Sequence, residues 1–276
     1  MAADVTSIAN EVAPAVPEHS PRTPRLQLGP HRRRFFVIYG ILAVVLGVAV
    51  TGLVVFAGKS INPAPRWSAW KPHGGGLGAA KEIADEVSKS YRLPNGNQLV
   101  DVIAGAPQVS ASSTVTIPIH YLAVHGTQGR NDQIFSISSS DSVMYSLCGL
   151  GASCSIATGK ASPQRGRLVR REILELALYT FKYAGGIKNV VAFLPPVPGS
   201  QPKYVVYLQK SDLSAELHKP LVQTLAAKTP LATTISAGDV HAVDSVTIPR
   251  VYNVVRLSQT QQGDAVLELQ PLPAKQ

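Results

Sequence analysis

The stretch CSIATGKAS, from Cys154 to Ser162, has part of the spacing of a phosphate-binding loop. Gly159 and Lys160 stand just before a predicted helix, as the Gly-Lys pair of such a loop would. A P-loop also needs an earlier glycine and a Ser or Thr directly after the lysine. Those two places hold Cys154 and Ala161. Nucleotide binding is therefore not predicted here, and we expect no cofactor.

Other catalytic patterns in the sequence are incomplete. Ser68 and Lys71 have the Ser-x-x-Lys spacing of penicillin-binding proteins, but they stand in a Pro-rich stretch and lack the accompanying Ser-Asp-Asn and Lys-Thr-Gly motifs. His120 and His125 are an odd number of residues apart, which places them on opposite faces of an extended strand. The sequence therefore predicts neither a metal pair at these histidines nor a catalytic set.

The two cysteines of the chain, Cys148 and Cys154, are close together in SLCGLGASC. An even number of cysteines outside the cytoplasm favours a disulfide, and two glycines between them would let the small ring close. The alternative is a pair of buried thiols that behave as small apolar groups. We predict the disulfide, on the topology argued below.

A cluster of arginines begins the segment SPQRGRLVRREILEL. Basic residues at the start of a helix oppose the helix dipole, so they seldom serve stability there. A site for an anion, such as a lipid headgroup or an anionic wall polymer, is one interpretation, and an ordinary solvated face with helical ion pairs is the other. The candidate anion-binding residues are Arg165, Arg167, Arg170 and Arg171.

A long apolar segment fixes the position of these residues relative to a membrane. Residues 35–57 contain no charge, and at about 1.5 Å per residue a helix of this length crosses a hydrocarbon core of about 30 Å. We predict a transmembrane helix, with a cleaved signal peptide as the alternative. A signal peptide fits less well because 34 residues precede the segment and the segment exceeds the usual apolar length.

The distribution of basic residues predicts the orientation of this span. Arginines are denser before it than lysines and arginines are after it, so the N-terminus should remain in the cytoplasm. The residues concerned are Arg22, Arg25, Arg32, Arg33 and Arg34 before the span, and Lys59, Arg66 and Lys71 after it. The domain after the span would then lie outside, where nucleic acid is not an expected partner.

Small residues recur along one face of the predicted span. Ala43, Gly47 and Thr51 are four residues apart, a spacing that allows two helix backbones to approach closely. The pattern indicates a possible homodimer through these three residues, besides contact with the lipid bilayer.

The remaining chain divides into a disordered cytoplasmic tail (1–34), a juxtamembrane linker (58–75) and a folded domain (76–276). Trp67 and Trp70 in the linker suit either lipid headgroups or the core of the domain. Periodicity predicts helices in 76–93, 162–184 and 211–228, the last shortened or kinked by Pro220. Strands are predicted from Gln98, Ser113, Gln133, Ser142, Asn189, Lys203, Ser245 and Ala265.

An internal match suggests a repeated unit. VTIPIHYLAV from Val115 and VTIPRVYNVV from Val246 agree at six of ten positions. We interpret residues 76–140 and 211–271 as two degenerate α-β-β-β units. The predicted fold is thus α+β: one N-terminal transmembrane helix and an external domain of mainly antiparallel sheet with about three helices.

These features predict a single-pass membrane protein of a bacterial envelope. Its external domain would bind another envelope protein or an anionic envelope polymer. The alternative hypothesis is a membrane-anchored enzyme that acts on cell wall or lipid, which would require a cleft with convergent polar groups.

Overall fold

The computed structural model describes residues 30–58, 66–110, 115–126 and 133–272, in two compact units. One unit contains the N-terminal helix, and the other contains the described residues from Arg66 onward. Most of the predicted tail, residues 1–29, and part of the predicted linker, residues 59–65, lie outside the described residues. The helices are α1 (Pro30–Gly58), α2 (Gly76–Ser88), α3 (Pro163–Tyr183), α4 (Ser214–Leu217) and α5 (Ala237–Thr247).

Helix α1 contains the whole predicted span. Its segment Arg34–Thr51 has a mean hydropathy of 2.2, and its side chains are exposed. Within the described part of the chain, it is the one helix that is long and apolar enough to cross a membrane. This helix fits a single-pass anchor and also a signal sequence.

Two of the three helices predicted for the domain are confirmed as α2 and α3. The third, predicted in 211–228, is much shorter in the structure. Ser162 caps α3 by accepting a hydrogen bond from the Arg165 backbone at 3.2 Å, and Pro163 occupies the first turn. The helix predicted in 211–228 is reduced to α4 and short 3₁₀ turns on either side, as expected from Pro220. Helix α5 was not predicted.

The domain contains one large sheet and a small ribbon. The strands are β1 (Asp101–Gly105), β2 (Gln108–Ser110), β3 (Thr116–Pro118), β4 (Tyr121–His125), β5 (Ile134–Ser138), β6 (Ser142–Cys148), β7 (Asn189–Phe193), β8 (Tyr204–Gln209), β9 (Val251–Gln259) and β10 (Ala265–Pro271). Eight strands pair in the order β1-β6-β7-β8-β9-β10-β4-β5, and β2 pairs with β3.

The prediction of a mainly antiparallel sheet is wrong, because the sheet is mixed. Strands β6 and β7 are parallel, with Ser142 opposite Asn189, and α3 makes the crossover between them. Strands β10 and β4 are also parallel, although far apart in sequence. A crossover helix is the usual connection between parallel neighbours, so the position of α3 between two strand segments favoured a parallel pair.

The sheet has a hydrophobic core on each face. On one face, α2 and α3 pack against β1, β6, β7 and β8, with Ile83, Leu174 and Val190 fully buried. On the other face, a smaller cluster that includes Leu122, Leu267 and Val109 joins the ribbon to β4 and β10. Helices therefore cover one face, and a second core fills the other.

The matched decapeptides have different backbones. Thr116–Pro118 is strand β3, whereas Val246 and Thr247 end α5 and the strand predicted from Ser245 begins at Val251. Among the described residues, segment 76–140 contains the five strands β1 to β5 and segment 211–271 contains only β9 and β10, so the two segments do not share the α-β-β-β order. Both matched segments nevertheless place a strand beside β10, β4 in parallel and β9 in antiparallel pairing.

The described end of the predicted linker belongs to the domain. Trp67 packs edge-on against Tyr179 and Tyr183 of α3, and Trp70 packs against Tyr179. The Trp67 carbonyl accepts a hydrogen bond of 2.7 Å from the Leu221 backbone. Of the two positions considered for these tryptophans, the structure shows contact with the domain core.

Candidate binding cavity

The first helical crossover of the sheet creates the site. Strand β6 ends at Cys148, the chain returns through α3, and the parallel strand β7 ends at Phe193. The carboxyl ends of parallel strands and the amino end of the intervening helix are where α/β proteins commonly bind ligands, because loops there leave a crevice and backbone N–H groups point into it. A cavity lies at this place in the domain.

The cavity has a volume of about 340 Å³, within the usual range of small-molecule sites. Val100 and Val169 in its wall are buried, whereas Val197, Tyr204 and Leu272 are 53%, 46% and 43% exposed. The lining is mostly apolar and consists of Val100, Ile156, Ala161, Ser162, Arg165, Gly166, Val169, Arg170, Leu194, Pro195, Val197, Tyr204, Val251 and Leu272. An apolar ligand would remove this surface from water.

Arg165 is the positively charged group of the lining with the fewest partners. The residue is 9% exposed, and its Nη1 donates a hydrogen bond to the Thr158 carbonyl. Among the described residues, no carboxylate lies within ion-pair distance of Arg165. Burial lowers the pKa of its guanidinium, which is the cost of placing a charge there without a counter-charge.

Arg170, the second arginine of the lining, shares a carboxylate with Arg167. The two guanidiniums contact Asp244 of α5 at 2.9 and 2.8 Å, and Arg170 also donates to the Thr247 hydroxyl at 2.9 Å. Burial acts to raise the pKa of Asp244, but the hydrogen bond from Arg167 and the charge of Arg170 outweigh it and lower this pKa. The single carboxylate of Asp244 therefore forms ion pairs with both arginines.

Arg171 lies apart from the cavity, so the predicted four-arginine anion site is divided by the structure. Its guanidinium is 1% exposed and contacts Asp239 at 2.6 Å and Glu175 at 3.2 Å. It also donates to the hydroxyl of Tyr91 at 2.6 Å and to the Ala226 carbonyl at 2.8 Å. Successive helix positions point about 100° apart, which is why Arg170 and Arg171 face different surroundings.

A buried carboxyl lies next to Arg171 in the sequence. Glu172 is fully buried, and among the described residues neither of its carboxyl oxygens has a hydrogen-bond partner. Burial raises the pKa of Glu172 well above its ordinary value, and the charge of Glu175 raises it further. Glu172 is not part of the cavity lining. It therefore adds no acid or base to the cavity.

The segment between β6 and α3 carries the cysteine pair and part of the cavity wall. Cys148 and Cys154 lie at disulfide-bonding distance, with Cα atoms 4.2 Å apart. Leu150, Ser153 and Cys154 have positive φ, a rare conformation for residues other than glycine. Ile156, which lines the cavity, lies two residues after Cys154 and donates its backbone N–H to the Pro196 carbonyl at 3.2 Å.

A larger cavity of about 620 Å³ lies near the carboxyl end of α3. Its lining includes Lys188, Lys210 and Asp141, and Lys188 pairs with Asp141 at 3.1 Å. The Lys188 side chain is 73% exposed, so solvent already satisfies its charge. We consider the smaller cavity the better candidate because its Arg165 is buried and has no carboxylate partner in the described chain.

The remaining candidate residues have other roles in the structure. Ser68 contacts the Tyr183 hydroxyl at 2.7 Å and also bonds to the Trp70 carbonyl. His125 lies 2.9 Å from Glu268, and no group of three metal-ligating side chains occurs among the described residues. Within α1, the Thr51 hydroxyl donates to the Gly47 carbonyl. Sequence reasoning missed the cavity: of its four candidate arginines, only Arg165 and Arg170 line it.

Comparison with family models, with curated proteins and with solved structures found no match to this chain.

Proposed function

We propose that this chain is a single-pass membrane protein whose domain outside the cytoplasm binds a component of the cell envelope. The cavity at the amino end of α3 is the observation that carries the binding function. It combines an apolar lining with a buried arginine at the place where α/β units bind ligands. Helix α1 supplies the anchor, and the lipid bilayer is its partner.

The chemistry of the lining favours binding over catalysis. Its polar side chains are Ser162, Arg165, Arg170 and Tyr204. Among the described residues that line this cavity, no carboxylate, histidine or cysteine is present to act as base or nucleophile. An arginine remains protonated and positions an anion rather than transferring its proton. The proposed domain therefore holds its ligand unchanged.

The location and orientation are tested with a thiol reagent that does not cross membranes. In intact cells, a Ser60→Cys variant should be labelled and a Ser20→Cys variant should be labelled only after the cells are opened. The unsubstituted protein measures the background from Cys148 and Cys154. Labelling of residue 20 alone would contradict the proposed orientation. An intact mass that lacks the first 57 residues would show that α1 is a cleaved signal sequence.

The binding site is tested with a photoreactive medium-chain alcohol that carries a diazirine. In membranes that contain the full chain, its adducts should map to peptides that include Ile156 or Tyr204. Gly166→Leu should block this labelling, since a Cβ at residue 166 meets no atom within 4 Å and a larger side chain would occupy the cavity. Both Gly166→Leu and the control Gly166→Ala remove a helical glycine, which stabilises a helix by roughly 0.8 kcal/mol. Gly166→Ala should keep the labelling.

Absence of adducts at the cavity in the unsubstituted protein, both with this alcohol and with acidic probes of the same chain length, would contradict the proposed binding function. Equal labelling of Gly166→Leu and Gly166→Ala would mean that the probe does not bind in the cavity. This result would also contradict the proposed binding function.

A further inference from the structure

We propose that the cavity takes a single-chain amphiphile with an acidic head, and that Arg165 binds this head. The inference rests on the proposed binding function, and it adds the chemical class of the ligand. Two features of the same cavity carry it: an excess of positive charge at one end and an apolar wall along the rest.

The charge excess follows from the contacts around the amino end of α3. Arg165, Arg167 and Arg170 bring three guanidiniums to this end, and Asp244 is the carboxylate that contacts two of them. Arg165 has no such partner among the described residues, although its 9% exposure leaves little contact with water. The amino end of a helix adds further positive potential. An anion from outside would complete this set of charges.

Because Arg165 is buried, leaving its charge without a counter-charge costs free energy. A buried charge is normally paired, because removal from water is not compensated otherwise. Arg171, the other buried arginine of the cluster, obeys this rule, and the partly exposed Arg167 and Arg170 are paired as well. Arg165 departs from this rule, and it lines the cavity, which is the behaviour expected of a residue whose partner is a ligand.

The apolar wall defines the remainder of the ligand. Val100, Val169 and Leu194 line the interior, and exposed Val197 and Leu272 continue the apolar surface at the rim. Methylene groups gain free energy when such a surface removes them from water, so an acyl chain or similar apolar body fits, whereas a sugar polymer does not. A planar guanidinium binds carboxylate and phosphate oxygens equally well in geometry. A fatty acid and an alkyl phosphate therefore share the features that the cavity requires, which are one anionic head and one apolar chain.

The test compares three photoreactive probes of the same chain length: a medium-chain fatty acid, the corresponding alkyl phosphate and the alcohol. Each probe is added to membranes that contain the full chain, and adducts at the cavity are counted by peptide mass spectrometry. Arg165→Gln removes the charge, Arg165→Lys keeps it, and Arg66→Gln is the control for loss of one exposed arginine.

At least one acidic probe should label the unsubstituted protein about tenfold more than the Arg165→Gln variant, since a hydrogen-bonded charge contributes that much to binding. Arg165→Lys should recover much of the labelling, and Arg66→Gln should leave it unchanged. The alcohol should label all these variants equally. Whether the acid or the phosphate labels more strongly distinguishes a fatty acid from a phosphate-bearing lipid as the source.

Equal labelling of the cavity by acids and alcohol, with no effect of Arg165→Gln, would overturn the acidic head and leave the proposed binding function standing. If no probe labels the cavity, both proposals fail together. If the acidic probes label Arg165→Gln and the unsubstituted protein equally but exceed the alcohol, another residue binds the head and this inference is wrong.

Discussion

The guanidinium of Arg171 and the carboxylate of Asp239 form an ion pair in the interior of the domain, with 2.6 Å between Nε and Oδ2. The two side chains are 1% and 5% exposed. Asp239 also accepts a hydrogen bond of 2.9 Å from the Ala226 backbone, and Arg171 reaches Tyr91 beyond the end of α2. One pair therefore joins α3 to α5 and to two connecting segments.

Removing one member of this pair should destabilise the domain strongly. Arg171→Met leaves the Asp239 charge buried without its partner, a change that typically costs about 3 to 5 kcal/mol. Urea unfolding of the full chain in detergent measures the loss. Lys188→Met, which breaks an exposed pair with Asp141, is the control and should cost less than about 1 kcal/mol. Similar losses for the two variants would contradict the structural role of Arg171.

Glu172 makes stability depend on pH in a defined direction. Its pKa is raised in the folded state, so its protonated form is favoured by folding, and stability falls as the pH rises above the ordinary value of 4.5. Glu172→Gln keeps the shape and cannot ionise. It should therefore raise the free energy of unfolding most at neutral and alkaline pH and change it least in acid.

Unfolding curves of the full chain over a range of pH test this direction. Glu86→Gln is the control, since Glu86 lies on an exposed part of α2 and pairs with Lys89 at 3.4 Å. A Glu172→Gln variant whose stability relative to the unsubstituted protein stays constant with pH would show that Glu172 ionises normally in the fold.

The cysteine pair should be oxidised in protein taken from its native membrane. Non-reducing mass spectrometry should find a peptide that links Cys148 to Cys154. The substitution of both by Ser should cost about 2 kcal/mol, because the ring is short. It should also weaken labelling of the cavity, since Ile156 in the cavity wall lies two residues after the ring closes at Cys154. Free thiols at both Cys148 and Cys154 in the native protein would contradict this prediction.

The small residues of α1 give a separate prediction about assembly. If two copies pair through Ala43, Gly47 and Thr51, Gly47→Leu should hold the backbones apart and weaken dimerisation in a membrane reporter assay. Val48→Leu is the control because it points about 100° away. The Gly47 carbonyl already accepts the Thr51 hydroxyl within the same helix, so the expected contact is close backbone packing. Equal effects of the two changes would leave α1 as a simple anchor.

Local sequence patterns correctly predicted the helices whose formation depends mainly on residues close together in the chain. The uncharged run predicted α1, and the periodicity of 162–184 predicted α3. Helix α5 was missed because its last three residues, Ser245–Thr247, continue into residues typical of strands. A capping signal was nevertheless present: Ser236 accepts a hydrogen bond from the Asp239 backbone, three residues later.

Long-range pairing was beyond the sequence patterns. Nothing local indicates that β10 pairs in parallel with β4, with Val266 opposite Tyr121. The cavity was missed for the same reason, since its lining comes from residues as distant as Val100 and Leu272. The arginine cluster was recognised, but only the fold shows that Asp239 and Asp244 of α5 neutralise three of its members and leave Arg165.

Analysis of small molecules that co-purify with the protein tests the central claim most directly. The full chain and its Gly166→Leu and Gly166→Ala variants are purified in the same detergent from native membranes, and bound molecules are identified by mass spectrometry. We predict that an acidic molecule with an apolar chain is enriched with the unsubstituted protein and with Gly166→Ala, and is lost from Gly166→Leu. The same set of molecules in equal amounts from all three proteins would contradict a binding function of the cavity.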